Sequence, residues 1–260
     1  AGLLQALLAD SPPADVAADA LFRLAGALDA MGRPADVAPV YERLLREHPG
    51  SPFEPYAWLA LGTLAAERPD GAAKAEAWLT RAAEKAGDAR VAAEAWFQLG
   101  HLHYRGSNYV KSAYAFDQLL TRFGSDLRAE SARLPAAWAC HRAGRHADAV
   151  ALADQALAAG ARPSDGWLYL AANSERQLAR HAAAADRYGR LLRECPDSVY
   201  APRSAYERAL ALFNAGRHAE AVDQARAIPP GGPMEDQVCW LLAESAIALG
   251  DENGAIQNYR

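Results

Sequence analysis

The sequence predicts an all-α fold, a solenoid of antiparallel helix pairs placed one after another. Three observations carry that prediction. Small residues recur at a nearly constant interval, apolar stripes of 3.6-residue period flank them, and short breaker segments separate the stripes in pairs. Alanine, the strongest helix former, supplies most of the excess in a chain that is 51% hydrophobic but only 8% aromatic.

One unit shows the pattern most clearly: Ala93 to Gly124, AEAWFQLGHLHYRGSNYVKSAYAFDQLLTRFG. Trp96 lies one turn before Gly100 and His103 one turn after it. Beyond the Gly106-Ser107-Asn108 break, Ser112, Phe116 and Leu119 share one helical face. Aligned on Gly100, equivalent small residues fall at Ala25, Gly62, Ala137, Ala172, Ala209 and Ala243, giving successive spacings of 37, 38, 37, 35, 37 and 34 residues. Twelve residues further on stand Val37, Ser112, Ala149, Ala184, Ala221 and Ala255, with Lys74 beside Ala75 in the second unit. Four residues beyond these are Tyr41, Trp78, Phe116, Ala153, Tyr188, Ala225 and Tyr259.

The physical logic is that of two helices packed face to face. A small residue on the first helix lets the second approach, its partner there is also small, and large side chains above and below fill the space. Gly32, Gly144, Gly216 and Gly250 supply the left-handed conformation that ends the first helix, while Pro49, Pro196 and Pro233 close second helices. Pro12, 37 residues before Pro49, marks the tail of an earlier unit. The chain therefore reads as a single array: a partial repeat over 1–17, repeats starting near 18, 55, 93, 130, 165 and 202, and a truncated repeat over 236–260. Both AGLLQALLAD and GDENGAIQNYR begin or stop inside helical patterns, so the chain is expected to be a fragment of a longer protein, and a missing signal sequence says nothing about compartment.

These positions, and above all AEAWFQLGHLHYRGSNY and WLLAESAIALGDENGAIQNYR, resemble the tetratricopeptide repeat family over nearly the whole chain. The resemblance implies a right-handed α-solenoid whose first helices line a concave groove. The second unit departs from the pattern: AAERPDGAAKAEAW replaces the usual turn, which predicts a longer, differently angled connection. Ala153 and Ala225 stand where an aromatic is usual, so packing there is expected to be looser or filled by neighbours. The linkers LLREHPGSPFEPYAW, LLTRFGSDLRAESAR and LLRECPDSVYAPRSAY are similar to those of bacterial cell-envelope members, the barrel-assembly lipoprotein and the Tol-Pal-associated type. That favours periplasm or cell envelope over cytoplasm.

By the family's geometry, residues three before, one after and four after each small site face the groove. The resulting aromatic track in the middle and C-terminal parts gives the candidate partner-binding residues Phe97, His101, Tyr104, Trp138, His141, Tyr169, Asn173, Arg176, Tyr206, Phe213 and Trp240. Two readings stay open for these rings: anchors for an extended peptide or partner helix, or plain packing between neighbouring helices. The family's carboxylate-gripping pocket is not expected, because only Asn173 and Arg176 fit it and Phe22, Leu59 or Phe97 fills the usual lysine position.

Composition and motif searches exclude other classes. A net charge of −5 with acids and bases intermixed argues against nucleic acid. No apolar run approaches the roughly 20 residues of a membrane span. Cys140, Cys195 and Cys239 show no ligand spacing and read as buried single thiols. His101 and His103 point about 200° apart on a helix and cannot share a metal. His146, His181 and His218 recur just past the turn, where Tyr109 stands in the quoted unit, which marks them as structural. Glu94, Asp117 and Glu130 are expected on solvated faces. No phosphate loop, nucleophile elbow or zinc-protease motif occurs. No cofactor, metal or catalytic residue is therefore predicted. The expected function is a non-enzymatic scaffold that binds a protein or peptide in its groove, with self-association possible through exposed terminal repeats. Alternatives are a ligand-sensing regulatory domain or a structural arm of an enzyme whose catalytic domain lies elsewhere.

Overall fold

The turns decide where the helices end. In the computed structural model, which describes residues 1–258, the residue seven after the small site has positive φ in six units: Gly32 (67°), Ser107 (57°), Gly144 (79°), Ala179 (55°), Gly216 (74°) and Gly250 (77°). Each is followed by a residue whose N–H reaches back to a carbonyl five positions earlier, as Arg145 does to Cys140 (2.8 Å) and Arg180 to Glu175 (2.9 Å). This is the Schellman closure that satisfies the last carbonyls of a helix.

The second unit has Pro69 at that position. A proline ring locks φ near −65°, so the left-handed closure is forbidden there. The turn instead runs through Glu67–Gly71 with Arg68 N–H on Ala65 C=O and Gly71 N–H on Arg68 C=O, and the second helix starts one residue late. The register corrects accordingly. Ala75, not Lys74, is the buried small residue, and Leu79, not Trp78, faces Gly62; a Cβ on Gly62 would lie 2.6 Å from Leu79 Cγ.

Among the described residues there are fifteen α-helices and no strand. After α1 (Gly2–Ala9) they pair as α2 (Ala14–Ala30) with α3 (Pro34–Glu47), α4 (Glu54–Ala66) with α5 (Ala72–Lys85), and α6 (Ala89–Arg105) with α7 (Tyr109–Arg122). Then follow α8 (Leu127–Arg142) with α9 (His146–Ala158), α10 (Asp165–Gln177) with α11 (His181–Glu194), α12 (Ala201–Asn214) with α13 (His218–Arg226), and α14 (Glu235–Ala248) with α15 (Glu252–Asn258). The fold class is the expected all-α solenoid of helix-turn-helix repeats. None of the described helices is long and apolar enough to cross a membrane. Tyr259, aligned above with the large second-helix residues, lies outside the described residues.

Two compact units divide the chain, 1–135 and 136–260. In the first, Gly100 shows the packing rule at its tightest: a Cβ there would lie 2.5 Å from the Phe116 ring, and Ser112 Oγ donates to Gly100 C=O at 2.8 Å. Leu21, Leu24, Leu28, Val37, Tyr41, Leu44 and Leu61 form the core across α2, α3 and α4. In the second, Tyr188 fills the space between α10, α11 and α12 with Ala172, Ala184 and Leu212. The gap left by Ala225 is filled by Leu241 from the next helix pair, and Ala153 is likewise fully buried.

Second helices start without side-chain caps at Arg33, Arg145 and Arg217, yet each of these arginines pairs with an acid three residues on: Asp36, Asp148 and Glu220. Acids in a first turn also oppose the positive end of the helix dipole.

Candidate functional site

Phe97, His101 and Tyr104 belong to α6 in the first unit. Phe97 meets His101 edge-on at 4.5 Å, and both rings abut Phe116, at 6.4 and 5.2 Å. Burial, with Arg105 nearby, lowers the His101 pKa, so this imidazole stays neutral and acts as one more ring of the layer. Tyr104 packs edge-on to Tyr109 across the turn, 5.4 Å away.

The other eight positions lie in the second unit. Trp138 leans on His141 (5.7 Å) and on Tyr169 (6.3 Å), and Tyr169 stacks flat on Tyr200 at 4.5 Å and 13°. Phe213 contacts Trp240 at 6.2 Å, and Trp240 is 44% exposed. The half-buried Tyr206 packs against Ala209, Ala225 and Leu241. Asn173 is 9% exposed and engaged on both sides of its amide, donating to Tyr169 C=O at 2.8 Å and accepting from Tyr188 Oη at 3.2 Å. Its amide serves the repeat. Arg176 approaches Glu207 at 3.4 Å, and its side chain is 29% exposed. His141 Nδ1 lies 2.9 Å from Ser174 Oγ, and burial beside His146, Arg142 and Arg176 lowers its pKa to about 4.

A family model described as "Tetratricopeptide repeat" matches residues 1–52, 22–90, 97–165 and 169–235. The chain belongs to the tetratricopeptide repeat family. No curated protein sequence matches it. Among solved structures, a tetratricopeptide repeat protein from Parabacteroides merdae ATCC 43184 is 14% identical with a TM-score of 0.55, over 93% of this chain and 90% of its own. MamA MSR-1 is 18% identical with a TM-score of 0.54, over 66% of this chain and 94% of its own. RapI in its apo form is 12% identical with a TM-score of 0.54, over 79% and 81%. Likeness at these identities shows the shared fold alone.

Within the tetratricopeptide frame, His146 and His218, just past the turns, act as packing residues. His146 lies 5.1 Å from His141, His218 lies 5.1 Å from Phe213, and Tyr109 does the same to Tyr104. His101 and His103 face apart, His101 into the aromatic layer and His103 toward Glu76 at 3.9 Å. Cys140 is buried, whereas Cys195 and Cys239 are only half-buried. Asp117 and Glu130 are exposed as expected, but Glu94 is not a solvated surface acid. It accepts from Arg128 of the next repeat and from Gln98.

The larger feature missed by sequence reasoning is a chain of charge within and between repeats in the second unit. Arg187 pairs with Glu175 at 3.0 Å and Asp154 at 2.7 Å; Glu207 takes Arg176 and Arg203. The side chains of Glu175 and Glu207 are only 6% and 5% exposed. Burial raises the Glu175 pKa against the pull of Arg187. One signal was available: Glu175 stands three residues after the small site, where five of the other six units have Leu28, Ala65, Cys140, Leu212 and Ala246.

Proposed function

We propose that the chain is a non-catalytic scaffold whose first helices α10, α12 and α14 bind an extended peptide or a helix of a partner protein. The carrying observation is the pair Phe213 and Trp240, neighbouring rings of which Trp240 leaves 44% of its surface open at a position the repeat pattern assigns to the groove. Large rigid rings give contact area at small entropic cost, which makes them the usual anchors of protein interfaces. Arg176, Tyr169 and Tyr206 add a polar edge, whereas Asn173 is already committed inside the repeat. The linker pattern supports a cell-envelope setting. The exposed Leu3 on one end helix and Ile247, Leu249 and Ile256 near the other support pairing between copies as a secondary property.

A peptide library selected on the immobilised chain tests the groove. Trp240→Ala, a substitution at an exposed position, is expected to weaken selected peptides by roughly 30-fold, the size of an interface hot spot. Unchanged affinity, with unchanged circular dichroism, would remove this face from the account.

A further inference from the structure

A cavity of about 490 Å³ opens among α2, α3 and α4 of the first unit. It exists because Gly26 lacks a side chain. The equivalent residues of the other units are Thr63, His101, Trp138, Asn173, Leu210 and Glu244, and a Cβ on Gly26 would meet nothing within 4 Å. The walls are aromatic: Phe22 lies flat on Phe53 at 4.7 Å, with Tyr56 5.5 Å away and Tyr41 6.4 Å away.

The charged groups that line this cavity are all acidic. Asp29, in the last turn of α2, and Glu67, the C-terminal cap of α4, both line it, and no Lys, Arg or His does. Arg33, the base nearest in sequence to Asp29, is held by Asp36 at 2.6 Å. Two helix C-termini, each carrying partial negative charge, end beside these carboxylates. A further observation points the same way. Tyr41 is 7% exposed and lines the cavity, and its hydroxyl has no hydrogen-bond partner among the described residues. A hydroxyl left without a protein partner beside an open cavity can accept from a ligand's N–H.

We propose that this cavity receives a basic side chain, Lys or Arg, from an extended segment of a partner protein. The aliphatic stem lies along Leu59 and Phe22, and the cation meets Asp29, Glu67 and the Tyr41 hydroxyl, with the ring faces adding cation–π attraction. The inference is independent of the aromatic face on α10, α12 and α14, and it can fail without affecting it. The chain's net charge of −5 would speed encounter with a basic segment.

The test uses capped tripeptides, Ac-Gly-Lys-Gly-NH2 and Ac-Gly-Arg-Gly-NH2, followed by amide shifts in NMR of the whole chain. Norleucine and glutamate versions serve as controls. The basic peptides are expected to shift Gly26, Leu59 and Thr63 with a Kd in the millimolar range, on the order of a single side chain's affinity. The controls are expected to leave these residues unmoved. Asp29→Asn with Glu67→Gln is expected to weaken binding about tenfold or more, and Tyr41→Phe several-fold without loss of stability. Gly26→Leu, which fills the cavity, should abolish it. Equal shifts with norleucine, no shifts with either basic peptide, or unchanged affinity in Asp29→Asn/Glu67→Gln would each overturn the proposal.

Discussion

Replacing Gly100 by alanine sets two effects of known size against each other. In a helix interior the change gains about 1 kcal/mol of propensity. At Gly100, however, the new Cβ would lie 2.5 Å from Cε1 of Phe116, a ring that is fully buried. Carbon atoms settle about 3.5–4.0 Å apart, so the ring must retreat by roughly 1 Å. A close-packed interior offers no room for that, and overpacking of this kind costs about 1–3 kcal/mol. Gly26 is the matched control, since it is also inside a first helix and its added Cβ meets nothing within 4 Å. Gly26→Ala should therefore stabilise by about 1 kcal/mol. Gly100→Ala should destabilise by about 1 kcal/mol, a gap of roughly 2 kcal/mol between identical substitutions. Urea unfolding followed by circular dichroism reads both, and Phe116→Leu added to Gly100→Ala should recover part of the loss. If both single variants moved the midpoint equally, the close approach of the paired helices would not be what the small site provides.

Three other outcomes follow from the same structure. Ala179 holds φ +55°, which costs an L-residue about 1–2 kcal/mol. Ala179→Gly relieves that cost, less about 0.5–1 kcal/mol of backbone entropy, so it should raise the urea midpoint, whereas Ala182→Gly inside α11 should lower it. Glu175→Ala should destabilise by somewhat less than the ~3–5 kcal/mol of severing a fully buried pair, because Arg187 keeps Asp154 at 2.7 Å; Glu175→Leu with Arg187→Leu should regain most of it in a double-mutant cycle. His141, with its pKa lowered to about 4, binds fewer protons folded than unfolded, so its contribution is present above the ordinary value of 6.5 and is lost as pH falls from there toward 4. The raised carboxyl of Glu175 acts in the opposite sense, losing stability as pH rises through its folded pKa. Unfolding of His141→Gln across that range should thus show a shallower acid loss than the parent.

The repeat frame was legible because it rests on local chemistry. Positive φ, close approach and helix period each demand particular residue types at fixed spacings, and Gly32, Gly100 and Gly144 announce them. The one-residue slip in the second unit was visible only in part. Pro69 signals that the usual turn fails, but whether Lys74 or Ala75 faces inward depends on how the chain recovers. The candidate site was less legible. Groove positions follow from the repeat, yet whether a ring there is spent on its neighbour, as Tyr169 is on Tyr200, or left open, as Trp240 is, depends on adjoining repeats. The ion pairs between repeats were hidden for the same reason. Arg187 and Asp154 are 33 residues apart, and nothing in either segment names the other.

Those ion pairs set a limit on how the second unit could have been assembled or can be rebuilt. Repeats held together by oily faces alone behave as interchangeable cassettes, since almost any neighbour covers them. The cassette of α10 and α11 is different: it brings a carboxylate that only Arg187 and its surroundings tolerate, and its Arg176 reaches for Glu207 in the cassette that follows. Shuffling it elsewhere in the chain would strand Glu207 without Arg176 and Arg187 without Asp154. The order of these three repeats is thereby written into their charges.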